Sequence, residues 1–195
     1  MDYLLGYLAA QTSVTRTFYS KVFNNEKKLV ALTDAAFANS GDAKSTSGFL
    51  MFYNGSLVTA NSSTQNKVAT SAPEAELFEI LRTTKELYHI SGLLQDFGEM
   101  DLQTTILTDS ASTVRTVVSP ISRRYKYLSV YIAFLKEMVK EHGLHVVHLN
   151  REYNFADMLT KATTALEFTK QWNKIIAPFR WVHKNSASKN ERGTE

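Results

Sequence analysis

Acidic residues stand at five places where a side chain can leave a sheet or a helix end: Asp34, Glu74, Glu76, Asp109 and Asp157. Each has an ordinary structural reading. Asp34 can open a turn, and Asp109 can cap a helix. Glu74 and Glu76 answer a helix macrodipole, and Asp157 suits a solvated helix face. Taken together they suit a different chemistry. Several hard, negative oxygens converging on one spot hold two Mg²⁺ ions about 3.5–4 Å apart, the arrangement used on phosphodiesters. One ion makes a nucleophile of bound water and the other stabilises the departing oxygen, so no side-chain nucleophile is needed. The chain contains no cysteine and no Gly-x-Ser-x-Gly elbow, in keeping with that chemistry.

The elements that would position these acids follow from apolar patterning. Leu29-Val30-Ala31-Leu32 is an apolar run that reads as a strand buried on both faces, the centre of a mixed sheet, with Asp34 at or near its end. Residues 48–53 form a second strand. Asn54-Gly55 is a two-residue hairpin signal, because both turn positions require positive φ. Residues 56–60 return antiparallel. A long helix is expected over 72–97, with Ser71 and Glu74 at capping-box spacing, Pro73 in its first turn and Gly98 behind it. On period alone Glu74 shares the inward stripe with Leu77, Phe78 and Leu81, so either Glu74 or Glu76 can supply the second carboxylate. Further expectations are a strand over 104–108 ending in Asp109, helices over 110–118 and 127–141, and a strand over 144–149. A helix over 153–161 carries Asp157, and another follows over 165–176. His145 and His148 read as strand residues.

Bulk properties bound the class. The chain has 195 residues, enough to bury a core without staples. The lack of cysteine excludes disulfides, thiolate zinc sites and a cysteine nucleophile. No apolar run reaches the ~20 residues of a membrane helix, and no secretory leader is expected. A net charge of +3 permits a polyanionic partner without arguing for one.

The order of motifs resembles the RNase H domain of copia-type LTR retrotransposon Pol polyproteins, from about Leu4 to Phe168. The resemblance rests on Asp34-Ala35-Ala36-Phe37-Ala38, Lys44-Ser45-Thr46-Ser47-Gly48-Phe49, and the run from Val68 through Glu74-Ala75-Glu76-Leu77. It continues through Lys85-Glu86, Leu93-Leu94 and Gly98, then Asp109, and closes on Phe155-Ala156-Asp157-Met158-Leu159-Thr160-Lys161. Departures are Ser110, Tyr127, Ser129 and Ala162 where that family commonly has Asn, His, Asp and Pro.

The resemblance implies an α/β RNase H-like fold: a five-stranded mixed sheet in the order 3-2-1-4-5, flanked by helices. It implies a connector from the polymerase over residues 1–26, the RNase H-like domain over 27–163, and a C-terminal helix with a disordered tail over 164–195. It implies endonucleolytic hydrolysis of the RNA strand of RNA·DNA hybrids during reverse transcription. Asp34, Glu76, Asp109 and Asp157 would be the catalytic carboxylates, binding two Mg²⁺, or Mn²⁺ in their place. Glu76 is preferred to Glu74 because Glu76-Leu77 matches the wider RNase H pattern. Partners would be the hybrid and the reverse transcriptase domain of the parent polyprotein, in the cytoplasm within a virus-like particle or in the nucleus. Contacts to hybrid phosphates are expected from Lys44, Ser45, Thr46, Arg123, Arg124 and Lys126, since an enzyme acting on any sequence reads backbone and 2′-hydroxyls. The rival reading is a non-catalytic Pol fragment that only binds nucleic acid or supports a polymerase.

Overall fold

The computed structural model describes residues 27–120 and 122–176. The expected connector over 1–26 and the expected disordered tail over 184–195 lie outside the described residues.

Five strands form one sheet in the order β3-β2-β1-β4-β5, as the resemblance implied. They are β1 (Lys28–Ala36), β2 (Thr46–Tyr53), β3 (Ser56–Thr64), β4 (Gln103–Thr108) and β5 (His145–His148). The first three form the expected meander, β2 antiparallel to both β1 and β3. Asn54 (φ 46°) and Gly55 (φ 82°) turn the β2–β3 hairpin in the left-handed region that the dipeptide suggested. β4 lies parallel to β1, and β5 parallel to β4. Those parallel connections are made by helices: α1 (Ala72–Asp96), α2 (Ala111–Val118) and α3 (Ser129–Glu141). α4 (Ala165–Ile176) follows β5.

Period-2 alternation along β1 explains the layering. Leu29 and Ala31 face one core with Leu77, Ile80 and Leu87 of α1 and Ile132 and Leu135 of α3. Val30 and Leu32 face a second core with Leu50, Phe52, Leu107, Phe155 and Ile175. The central strand is therefore apolar on both faces because both are covered. α4 belongs to the second core through Ile175, Phe168 and Trp172.

β1 continues through Ala36, so Asp34 stands near the strand's end, as expected, and is 3% exposed. Two local expectations are corrected. A 3-10 turn over Arg123–Leu128 precedes α3, which begins at Ser129 rather than 127. The expected helix over 153–161 is two short 3-10 turns, Arg151–Tyr153 and Phe155–Leu159. There the Asn154 carbonyl oxygen accepts Asp157 N–H and the Asp157 carbonyl accepts Thr160 N–H, both three residues on. The Asn154 side chain takes Ala156 N–H. This i→i+3 pattern, pinned by a side-chain oxygen, stops an α-helix from propagating.

Candidate metal centre

The parallel register of β1 and β4 sets Thr33 opposite Thr108. The next residues of each, Asp34 and Asp109, therefore stand side by side at about the 4.8 Å spacing of neighbouring strands. The first turns of α1 pack across the same end of the sheet and deliver Glu76. One carboxylate oxygen from each of Asp34, Glu76 and Asp109 lies within 4.8 Å of the other two. The structure thus brings together three of the four expected acids, and of the two glutamates it is Glu76 that stands beside the aspartates.

Glu74 is also buried, but its carboxylate is spent elsewhere. Glu74 Oε2 accepts from Thr70 N at 2.8 Å, Thr70 Oγ1 at 2.5 Å and Tyr127 OH at 3.0 Å. Burial opposes ionisation there, yet the donors from Thr70 and Tyr127 outweigh it and hold the pKa below its ordinary value. The capping box does not form, because the N-cap Ser71 makes no side-chain bond to α1. Glu74 reaches back past it to Thr70 instead.

Electrostatics distinguish Glu76 from the rest. Burial, then the charges of Asp34 and Asp109, raise its pKa from 4.5 to about 9. Its Oε2 is buried with no hydrogen-bond partner. Asp34 is also raised, by burial first, although Thr160 and Lys161 oppose the shift. Three crowded carboxylates with only one ammonium, Lys161, close to them, and one buried oxygen unsatisfied, form a hard-oxygen donor set that fits a divalent cation.

Asp157 lies outside this triad. Its carboxylate pairs with Lys161, and with Arg151 at 3.8 Å. Lys161 Nζ is also 3.8 Å from Asp34 Oδ2, so one ammonium spans Asp34 and Asp157. The turn that carries Asp157 is nevertheless fastened to the triad by two side chains the sequence reading gave no role. Buried Asn154 donates from Nδ2 to Asp109 Oδ1 (3.1 Å) and to the Thr33 carbonyl (2.9 Å). Buried Thr160 donates its hydroxyl to Asp34 Oδ2. Thr160 and Lys161 lay in a motif already singled out, whereas nothing in the spacing marked Asn154. A third such residue is Glu79, wholly buried one turn beyond Glu76. Its pKa is raised to about 7 by burial, against hydrogen bonds from Ser47 and Thr83 and the charge of Arg82.

The expected phosphate-contacting residues divide. Arg123 and Lys126 are exposed on the 3-10 turn that also contains Arg124. Tyr127 on that turn ties it to α1 through Glu74. Lys44 is partly exposed and pairs with Asp42 at 3.2 Å. Thr46 N and Oγ1 both bond Asn39 Oδ1. Ser45 is fully buried and accepts Ala38 N–H, so it offers no surface to a phosphate. His148 Nε2 lies 3.2 Å from the Asp109 carbonyl oxygen, at the edge of the site.

No family model matches the chain. It is 28% identical over 160 residues to the Transposon Ty1-DR5 Gag-Pol polyprotein of Saccharomyces cerevisiae, covering 81% of this chain. The match spans only 9% of the length of that relative. Among solved structures the fold is similar to LC11-RNase H1, isolated from compost by a metagenomic approach. There the TM-score is 0.53 at 22% identity, covering 68% of this chain and 91% of that one. LC11-RNase H1 in complex with RNA/DNA hybrid gives a TM-score of 0.51 at 22% identity, covering 67% and 92%. The fold is that of RNase H. Together with the Ty1 similarity, it supports an RNase H domain of a copia-type retrotransposon Pol polyprotein.

Proposed function

We propose that the chain is a metal-dependent ribonuclease H that cuts the RNA strand of RNA·DNA hybrids endonucleolytically, as a step of reverse transcription inside the cell. The observation that carries this reading is the convergence of Asp34, Glu76 and Asp109 within 4.8 Å, with a buried Glu76 oxygen left without a partner. The complex of LC11-RNase H1 with an RNA/DNA hybrid supports the choice of substrate. The Ty1 similarity supports a polymerase-bearing polyprotein as the native setting, with the reverse transcriptase domain as partner.

Two Mg²⁺ ions, or Mn²⁺, would supply an activated water and charge to neutralise the departing oxygen. The chain supplies the rest. Asp34, Glu76 and Asp109 would hold the cations, and Glu76 would do so in its ionised form, since a ligating carboxylate carries no proton. Asn154 and Thr160 each occupy one oxygen of Asp109 and Asp34, which fixes the direction in which the remaining oxygens point. Asp157 is the fourth carboxylate, held in reserve by Lys161 and Arg151. Arg123, Arg124 and Lys126 meet phosphates of the hybrid without reading bases.

Substrate choice is tested by giving the purified chain labelled RNA·DNA hybrid, single-stranded RNA and double-stranded DNA with Mg²⁺. Internal cuts in the RNA of the hybrid alone support the reading. Equal cutting of single-stranded RNA, or of DNA, contradicts it. Hybrid binding without any cutting would instead favour a non-catalytic binding module.

A further inference from the structure

The far end of α1 carries apolar side chains that its packing does not use. Leu93 and, four residues on, Phe97 share a face of the helix end and are 42% and 84% exposed. Met100, in the loop that follows, is 61% exposed. Single exposed apolar residues are ordinary, but a cluster of large ones marks a surface that something covers. The rise along α1 from Glu76 to Phe97 is about 32 Å at 1.5 Å per residue, so the cluster is no part of the metal centre.

The chain enters the fold beside this patch. Lys27 immediately precedes β1, and its Nζ pairs with Glu99 Oε2 at 2.8 Å. Its carbonyl accepts Gln103 N–H, also at 2.8 Å. Glu99 stands between Phe97 and Met100 in the chain, so Lys27 is clamped next to the apolar side chains. Residues 1–26 lie outside the described residues, and their sequence suits the patch. Residues 14–23 include Phe18, Tyr19, Val22 and Phe23, and they carry Arg16 and Lys21 with no acid. The patch is flanked by exposed Asp96 and Asp101. At about 3.5 Å per extended residue, Phe23 can reach about 14 Å from Lys27 and Phe18 about 32 Å. Apolar content and charge are therefore complementary within reach of the clamp.

We propose that residues 14–23 dock on Leu93, Phe97 and Met100, with Arg16 and Lys21 towards Asp96 and Asp101. Docking takes apolar surface on both sides out of water. It also fixes where the leading segment runs, at the end of the domain remote from the acids, and leaves the approach to the acids open.

The test is limited trypsin digestion of the full chain, read by mass spectrometry as cutting after Arg16 and after Lys21. The parent is compared with a Phe97→Ser, Met100→Ser pair and with a Phe18→Ser, Phe23→Ser pair. Each pair should raise the rate at both sites at least about tenfold, because cleavage follows the population of undocked segment. The two pairs combined should cut no faster than either alone, since both remove the same contact. Cutting inside α1, after Arg82 and Lys85, should stay at the parental rate. A rise there in step with the rise at Arg16 and Lys21 would mean general loosening of the fold and overturns the proposal. Cutting after Arg16 and Lys21 as fast in the parent as in both pairs also overturns it, and leaves the patch to a separate protein. Protection that grows with protein concentration, together with a dimer in sedimentation, overturns it in favour of a second copy of the chain. None of these readouts involves a hybrid or a cation, so the result is independent of the nuclease reading.

Discussion

At the scale of single residues, the site is a balance between charges the fold forces together and the few donors that relieve them. Glu76 binds a proton more tightly in the folded chain, with a pKa near 9, than in the unfolded chain near 4.5. The folded state therefore holds more protons across that interval, and stability falls as pH rises through it. In metal-free protein, Glu76→Gln should flatten the decline of Tm between about pH 5 and pH 9, most visibly at the alkaline end. An unaltered pH profile in thermal melts would show that Glu76 is not strained. Thr160 tests the relief of Asp34. Thr160→Val keeps shape but removes the hydroxyl that donates to Asp34. It should weaken Mg²⁺ binding by several-fold to tenfold in calorimetric titration, about 1 kcal/mol, the ordinary size of one hydrogen bond. Thr160→Ser should restore it, and equal affinities for parent and Thr160→Val would remove Thr160 from the site. These two residues were legible to different degrees. Glu76 was one of two alternatives, because helical period favoured Glu74 and could not show that Thr70 and Tyr127 would claim the Glu74 carboxylate. Thr160 lay in a motif but had no assigned partner, since its bond to Asp34 spans 126 residues of sequence.

At the scale of elements, strands and long helices could be read because their apolar periods are strong. The segment around Asp157 could not. An apolar residue at every third or fourth position suits an α-helix and a run of 3-10 turns alike. Asn154 decided the outcome by taking backbone N–H groups and reaching two strands at once. The turn also needs room against β2. A Cβ built on Gly48 would lie 2.7 Å from Leu159 Cβ and 3.0 Å from Thr160 Cγ2. Gly48→Ala should therefore push the turn away from the sheet. The expected cost is about 1–3 kcal/mol of stability, the usual price of overpacking, together with weaker metal binding as Thr160 leaves Asp34. Denaturant unfolding measures the first effect and Mg²⁺ titration the second. A Gly48→Ala chain with parental stability would mean that the turn yields freely.

At the scale of the whole molecule, sheet order and the two-sided burial of β1 were accessible from sequence, the first through a resemblance and the second through an unbroken apolar run. The extent of the second core was less so, because α4 lies beyond the motifs and nothing in its own period says which face of the sheet it covers. Ile175 is nonetheless 1% exposed against the face formed by Val30, Leu32 and Phe52. A chain ending at residue 163 should lose about 2–5 kcal/mol, given about 1.5–3 kcal/mol for each large apolar side chain fully buried and only partial burial of Phe168 and Trp172. An unfolding midpoint equal to that of the full chain would place α4 outside the cooperative unit. The whole fold exists, on this account, to hold three strand and helix ends so that their carboxylates meet. The most direct measurement is the rate at which the purified chain cuts the RNA of a hybrid with Mg²⁺, set beside the same rate for Asp109→Asn. The expected result is internal cleavage that vanishes with chelator and falls at least a hundredfold in Asp109→Asn, about 2.7 kcal/mol of barrier or more. Cleavage by Asp109→Asn at the parental rate would contradict it.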